Sequence, residues 1–86
     1  MSATPVISDS IRTFVLSRFP LARKRELQDG DLLLESGILD SMGVLEIVHF
    51  IEQEFGILVV DDELVPENFQ SIQQLTEFVN KKLGKA

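Results

Sequence analysis

Apolar side chains recur at intervals of three and four residues in three separate stretches of the chain. In the first stretch this spacing places four of them on one face: Ile7, Ile11, Phe14 and Val15. Such a pattern is typical of an amphipathic helix. Thr4 can cap its start with Pro5 in the first turn. The helix should end near Arg18, because Pro20 disfavours helical geometry in the residue before it.

The second stretch predicts a helix from about Ser41 to Phe55 that ends before Gly56. Its core-facing stripe consists of Val44, Ile47, Val48, Ile51 and Phe55. A second stripe on another face consists of Met42, Leu45 and His49, interleaved with Glu46 and Glu52. One apolar face is enough to bury a small helix, so the second stripe indicates a docking surface. The alternative is that Met42 and Leu45 lie beneath the preceding loop.

The third stretch predicts a helix near the carboxyl end of the chain. Ser71 and Gln74 are placed to form a capping box at its start. Its apolar face consists of Ile72, Leu75, Phe78, Val79 and Leu83. Lys81 and Lys82 suit the negative end of the helix dipole, and Gly84 can close the helix.

The loop between the first two helices, residues 19–40, is unusually long, and such loops are usually functional or contain structure of their own. A turn is indicated at Asp29-Gly30. Five apolar residues in this loop should pack across the bundle: Leu32, Leu33, Leu34, Ile38 and Leu39.

Two further segments join the middle helix to the last one. Residues 57–60 are expected to form a buried connector, and a short helix is expected within 61–69. The predicted fold class is therefore all-α, a four-helix bundle of three main helices plus a short third helix, with a long loop between helices 1 and 2. We expect residues 1–86 to form a single domain.

The chain has 44% apolar residues, no cysteine and a net charge of −6. Every acidic residue except Asp9 lies between positions 26 and 77, where there is no Lys or Arg. This argues against nucleic acid, whose recognition needs a cationic surface. It favours protein partners with basic docking patches, although an acidic surface can also serve solubility alone. With no signal-peptide pattern and no long apolar run, we expect a cytoplasmic protein without membrane insertion. The sequence gives no strong sign of oligomerisation, so we expect a monomer.

Ser41 follows Asp40 where the long loop passes into the middle helix. His49, the only histidine, lies more than two helical turns further on and cannot easily act as a base for Ser41. A lone histidine without cysteine partners makes a poor zinc site, and residues 61–63 lack the spacing and glycine of a calcium loop. We expect no catalytic residue and no metal, and interpret Ser41 as an attachment point. A hydrolase using Ser41 would lack a base and an oxyanion site.

The run at 37–42, together with Leu45-Glu46-Ile47 and Glu54-Phe55-Gly56, resembles the acyl carrier protein family. The resemblance extends from about Asp31 to Phe78. In this family a phosphopantetheinyl transferase attaches 4′-phosphopantetheine from coenzyme A to the motif serine, which is Ser41 here. The resemblance therefore implies a carrier that holds acyl or aminoacyl groups as thioesters and is not an enzyme.

The resemblance also implies a surface for partner enzymes. Asp40 would contact the cofactor-transferring enzyme, although capping of the helix is a simpler role for it. The residues implied in partner binding are Leu39, Met42, Leu45, Glu46, His49 and Glu52. The partners would be the transferase, an acyl- or aminoacyl-activating ligase or acyltransferase, and downstream synthase enzymes.

Several residues depart from the pattern of the fatty-acid-synthesis type. Met42 replaces the commoner leucine, and Gly43 stands where an acidic residue often follows. The run at 37–42 looks more like stand-alone aminoacyl or D-alanyl carriers, and bulky Phe50 predicts little internal room for a long acyl chain. We expect a specialised pathway in fatty acid, polyketide or nonribosomal peptide biosynthesis. The alternative is an acidic helical adaptor without cofactor, in which Ser41 only caps a helix.

Overall fold

The computed structural model describes residues 7–24, 26–28 and 30–84. This part of the chain contains four α-helices and two 3-10 turns and no β-strand, so the predicted all-α class is confirmed. The helices are α1 (Ile7–Arg18), α2 (Pro20–Lys24), α3 (Ser41–Phe55) and α4 (Ile72–Lys82). The 3-10 turns span Asp61–Glu63 and Pro66–Phe69.

The core lies between α1, α3 and α4 and is built from the predicted apolar faces. Its fully buried residues on these helices are Ile11, Val15, Ile47, Ile51, Ile72, Leu75 and Val79. Burial of these side chains is the main stabilising contribution, since the chain has no disulfide to brace it. The core holds α3 rigidly in place, and α3 is the helix that begins at Ser41.

The helix ends agree closely with the local sequence signals. Helix α1 ends at Arg18, and α3 ends at Gly56, whose φ of 68° lies in the left-handed region that favours glycine. At the start of α4 the Ser71 hydroxyl accepts a hydrogen bond from the Gln74 amide at 3.1 Å. The reciprocal half of the predicted capping box is absent, because the Gln74 side chain donates to the Glu67 carbonyl instead.

The long loop packs across the bundle as predicted. It contains the short helix α2, which the sequence pattern did not indicate, and most of its apolar residues are buried: Ala22, Leu27, Leu33, Ile38 and Leu39. The Leu33 amide donates to the Gln70 carbonyl at 2.8 Å, which ties the loop to the second 3-10 turn. Leu32 remains exposed. The predicted cap at Thr4-Pro5, and Asp29 of the predicted turn, lie outside the described residues.

The connector after α3 differs from its prediction. Ile57 and Val59 are half-buried, whereas Leu58 and Val60 are exposed, so the buried connector was wrong. The segment is extended, and alternate side chains of an extended chain face opposite sides. Only every second residue therefore reaches the core.

The predicted short helix within 61–69 is two 3-10 turns rather than one helix. Val65 separates them in an extended conformation, with φ −117° and ψ 149°. The reason is Pro66, which disfavours helical geometry in the preceding residue and has no N–H to continue a helix through it.

Candidate functional site

Ser41 is the first residue of α3, and its side chain is exposed. Asp40 caps the helix: its Oδ1 accepts a hydrogen bond from the Gly43 amide at 2.8 Å. The amides of Ser41 and Met42 lie in the first turn, where no intrahelical acceptor is available. The Ser41 hydroxyl makes no hydrogen bond within the described residues. The start of α3 therefore presents this hydroxyl at the positive end of the helix dipole.

No histidine lies beside Ser41 in the part of the chain that the structure describes. His49 lies two turns along α3 and is exposed. No cluster of three or more metal-ligating side chains occurs in the part of the chain that the structure describes. The run Asp61–Glu63 forms the first 3-10 turn, and Glu63 is held by Lys82.

Gly43 is buried at the start of α3, and its lack of a side chain allows a close approach. A Cβ at this position would lie 2.6 Å from Leu39 Cδ1 and 3.0 Å from Phe19 Cε1. Leu39 is only 2% exposed and packs against Gly43 at the start of α3. The direct partner contact expected of Leu39 is therefore not available in this conformation. Sequence reasoning interpreted Gly43 only as a missing acidic contact and overlooked this packing.

The second apolar stripe of α3 is exposed, with Met42 at 67% and Leu45 at 55%. The alternative in which these two residues lie beneath the long loop is therefore wrong. We call Met42, Leu45, Glu46 and His49 the recognition face of α3. Its role in partner binding remains a prediction.

The two acidic residues expected on this surface have partners within the chain. The Glu46 carboxylate accepts a hydrogen bond from Arg18 Nε. Glu52 is half-buried, and its Oε2 accepts from the Val59 amide at 2.9 Å, so it holds the connector after α3. Glu52 thus has a structural contact that sequence reasoning did not anticipate.

An apolar cleft of about 240 Å³ lies directly beside Ser41. Its lining consists of Leu34, Ser41, Val44, Leu64, Val65, Pro66 and Phe69. Phe50 is not part of this lining, because it stacks on Phe14 with ring centroids 4.3 Å apart. The bulk of Phe50 therefore does not restrict this cleft, and the small internal room for a long acyl chain stays a prediction. The cleft was missed because its walls come from three distant segments.

The chain is a small helical bundle in which Ser41 is exposed at the start of α3. An aminoacyl carrier protein 2 from Bradyrhizobium diazoefficiens is 28% identical over 79 residues, covering 87% of this chain and 89% of that protein. An acyl carrier protein from Treponema pallidum is 28% identical over 75 residues, covering 81% of this chain and 94% of that protein. No profile of a known protein family matches the chain.

These relatives carry the family name that the motifs predicted, so the resemblance to acyl carrier proteins is confirmed. Both proteins are named as carriers, which supports a carrier role rather than a catalytic one. Within the described residues, no helix is long and apolar enough to cross a membrane.

Proposed function

We propose that this protein carries acyl or aminoacyl intermediates as thioesters on a 4′-phosphopantetheine arm attached to Ser41. The observation that carries the proposal is the exposed Ser41 hydroxyl at the first position of α3, beside the Asp40 cap and without a hydrogen-bond partner among the residues described. In the attachment reaction the Ser41 oxygen forms a phosphodiester with the phosphopantetheine phosphate of coenzyme A. Adenosine 3′,5′-bisphosphate leaves.

The electrostatic environment at the start of α3 supports attachment of a phosphate-containing arm to Ser41. A phosphodiester on Ser41 would lie at a helix start, where free N–H groups and the dipole favour negative charge. The arm ends in a thiol, which the chain itself lacks because it has no cysteine. A flexible tether raises the effective concentration of its cargo at a docked enzyme.

The partners in this proposal are a phosphopantetheinyl transferase, an acyl- or aminoacyl-activating ligase or acyltransferase, and downstream synthase enzymes. We propose a single cytoplasmic carrier domain that acts as a monomer. We favour a specialised pathway over general fatty acid synthesis, supported by the run at 37–42 and by the similarity to an aminoacyl carrier protein. The acyl carrier protein relative is equally identical, so the cargo class is the finer part of the proposal.

The test is intact-mass measurement after co-expression with a phosphopantetheinyl transferase. We expect the protein to gain the mass of one phosphopantetheine group, and we expect the Ser41→Ala variant to gain none. Circular dichroism of Ser41→Ala should match that of the unaltered protein, because the Ser41 hydroxyl makes no hydrogen bond to the described part of the chain. A folded protein that stays unmodified with several transferases would instead favour the cofactor-free adaptor.

A further inference from the structure

Arg18 brings a positive charge onto the recognition face of α3. It is the last residue of α1 and lies outside the acidic stretch between positions 26 and 77. Its Nε donates to Glu46 Oε1, and the two side chains remain 60% and 38% exposed. The fold thus places the positive charge of Arg18 on the recognition face, whose residues come from a stretch of sequence without Lys or Arg.

The contact between Arg18 and Glu46 changes the charge that an approaching enzyme encounters on the recognition face. Glu46 is the carboxylate of the recognition face, next in sequence to the exposed Leu45. A cation of a partner can pair with Glu46 only by displacing or sharing with Arg18. The terminal nitrogens of Arg18 make no hydrogen bond within the described residues, so they remain free to repel a basic surface.

We propose that Arg18 is a specificity-determining residue that competes with the cations of partner enzymes for Glu46. It disfavours enzymes that dock through a strongly basic patch. It leaves unaffected those that hold Met42 and Leu45 in an apolar pocket. The proposal rests on the proposed carrier function, because it concerns enzymes that act on the arm at Ser41.

A different role for Arg18 would be to receive a carboxylate of the partner. The charge distribution argues against it. A carboxylate approaching Arg18 would meet Glu46 beside it and the net charge of −6 of the whole chain. Long-range attraction therefore selects basic partners, against which Arg18 is a local obstacle.

The experiment measures kcat/KM for attachment of phosphopantetheine, with coenzyme A and a phosphopantetheinyl transferase that has a basic docking surface. We expect Arg18→Gln to raise kcat/KM roughly two- to fivefold, through KM, as befits an exposed charge pair. Arg18→Lys retains the cation and should behave like the unaltered protein. Because exposed charges are screened, the gain should shrink at high salt.

Two controls separate competition for Glu46 from a general change of charge. Lys81→Gln changes the net charge equally at an exposed position on α4 and should leave kcat/KM nearly unchanged. In a Glu46→Gln background, Arg18→Gln should give much less than its gain in the unaltered protein, because no carboxylate is released. Thermal unfolding of each variant checks that the fold is retained.

An unchanged or lowered rate for Arg18→Gln would overturn the proposal, and a lowered rate would mean that Arg18 itself contacts the enzyme. An equal gain for Lys81→Gln would also overturn it. If the unaltered protein is not modified at all, the carrier function fails instead, so the two failures are distinguishable.

Discussion

Replacement of Gly43 by alanine sets helix propensity against packing, and the structure decides which effect wins. Alanine at a helical position is favoured over glycine by up to about 1 kcal/mol. The new Cβ would lie 2.6 Å from Leu39 Cδ1 and 3.0 Å from Phe19 Cε1. Favourable contact between carbon atoms needs roughly 3.5–4.0 Å, so both neighbours must move.

The cost of moving them should exceed the gain. Leu39 is only 2% exposed, and forcing extra atoms into a packed site typically costs about 1–3 kcal/mol. We therefore expect Gly43→Ala to lower the free energy of unfolding by about 1 kcal/mol, after the propensity gain is subtracted. In a domain of this size, that corresponds to a fall in Tm of roughly 4–8 °C.

The assay is thermal unfolding followed by circular dichroism, with two companion variants. Gly30→Ala is the matched control, since a Cβ there meets nothing within 4 Å, and it should not destabilise. In a Leu39→Val background, which lacks the conflicting Cδ1 atom, Gly43→Ala should cost much less than it does alone. A Gly43→Ala protein at least as stable as the original would refute the close approach, and so would an equal loss of stability in both backgrounds.

Three further outcomes follow from single contacts. Asp40→Ala should lower the free energy of unfolding by about 1 kcal/mol, because the cap is lost. Asp40→Asn should retain most of the stability and still slow attachment at Ser41. Equal unfolding curves for the two variants would contradict the capping role. Leu45→Lys should weaken loading by partner enzymes with near-unchanged circular dichroism, and unchanged loading kinetics would remove the docking role of that face. Hydrogen bonds from Lys82 and the Val60 amide lower the pKa of Glu63 below 4.5, so their stabilisation is present above that pH and is lost on acidification. Accordingly, Tm should fall less steeply in Glu63→Gln than in the original protein when the pH is lowered from about 5 to 3, and parallel curves would exclude this contribution.

The end of α1, both ends of α3 and the start of α4 could be predicted because each is set by residues adjacent to it in sequence. Pro20 ends α1 and Gly56 ends α3, and Asp40 and Ser71 cap α3 and α4 through their own side chains. Periodicity identified the buried faces for the same reason, since three- and four-residue spacing fixes which side chains share a face. These signals needed no knowledge of the tertiary arrangement.

The features that escaped prediction depend on which distant segments meet. The Arg18–Glu46 pair joins the end of α1 to α3, and no local pattern links the two residues. Phe50 packs against the core and stacks on Phe14, and it does not line the cleft beside Ser41. Side chains of the extended connector alternate between the core and solvent. This alternation cannot be recognised in the sequence, because all four connector residues are apolar.

Ser41 and the wall of the cleft beside it are held in place by different interactions. A substitution can therefore affect one without affecting the other. Ser41 is fixed by α3, whose other face lies in the core. The wall of the cleft at Leu64 and Val65 is anchored through Glu63, whose carboxylate accepts from Lys82 Nζ at 2.8 and 3.0 Å and from the Val60 amide at 3.0 Å. Its carbonyl also accepts from the Asn68 side chain at 2.8 Å. A change at Glu63 should therefore alter the apolar cleft while leaving attachment at Ser41 intact, because none of these hydrogen bonds involves a residue of α3.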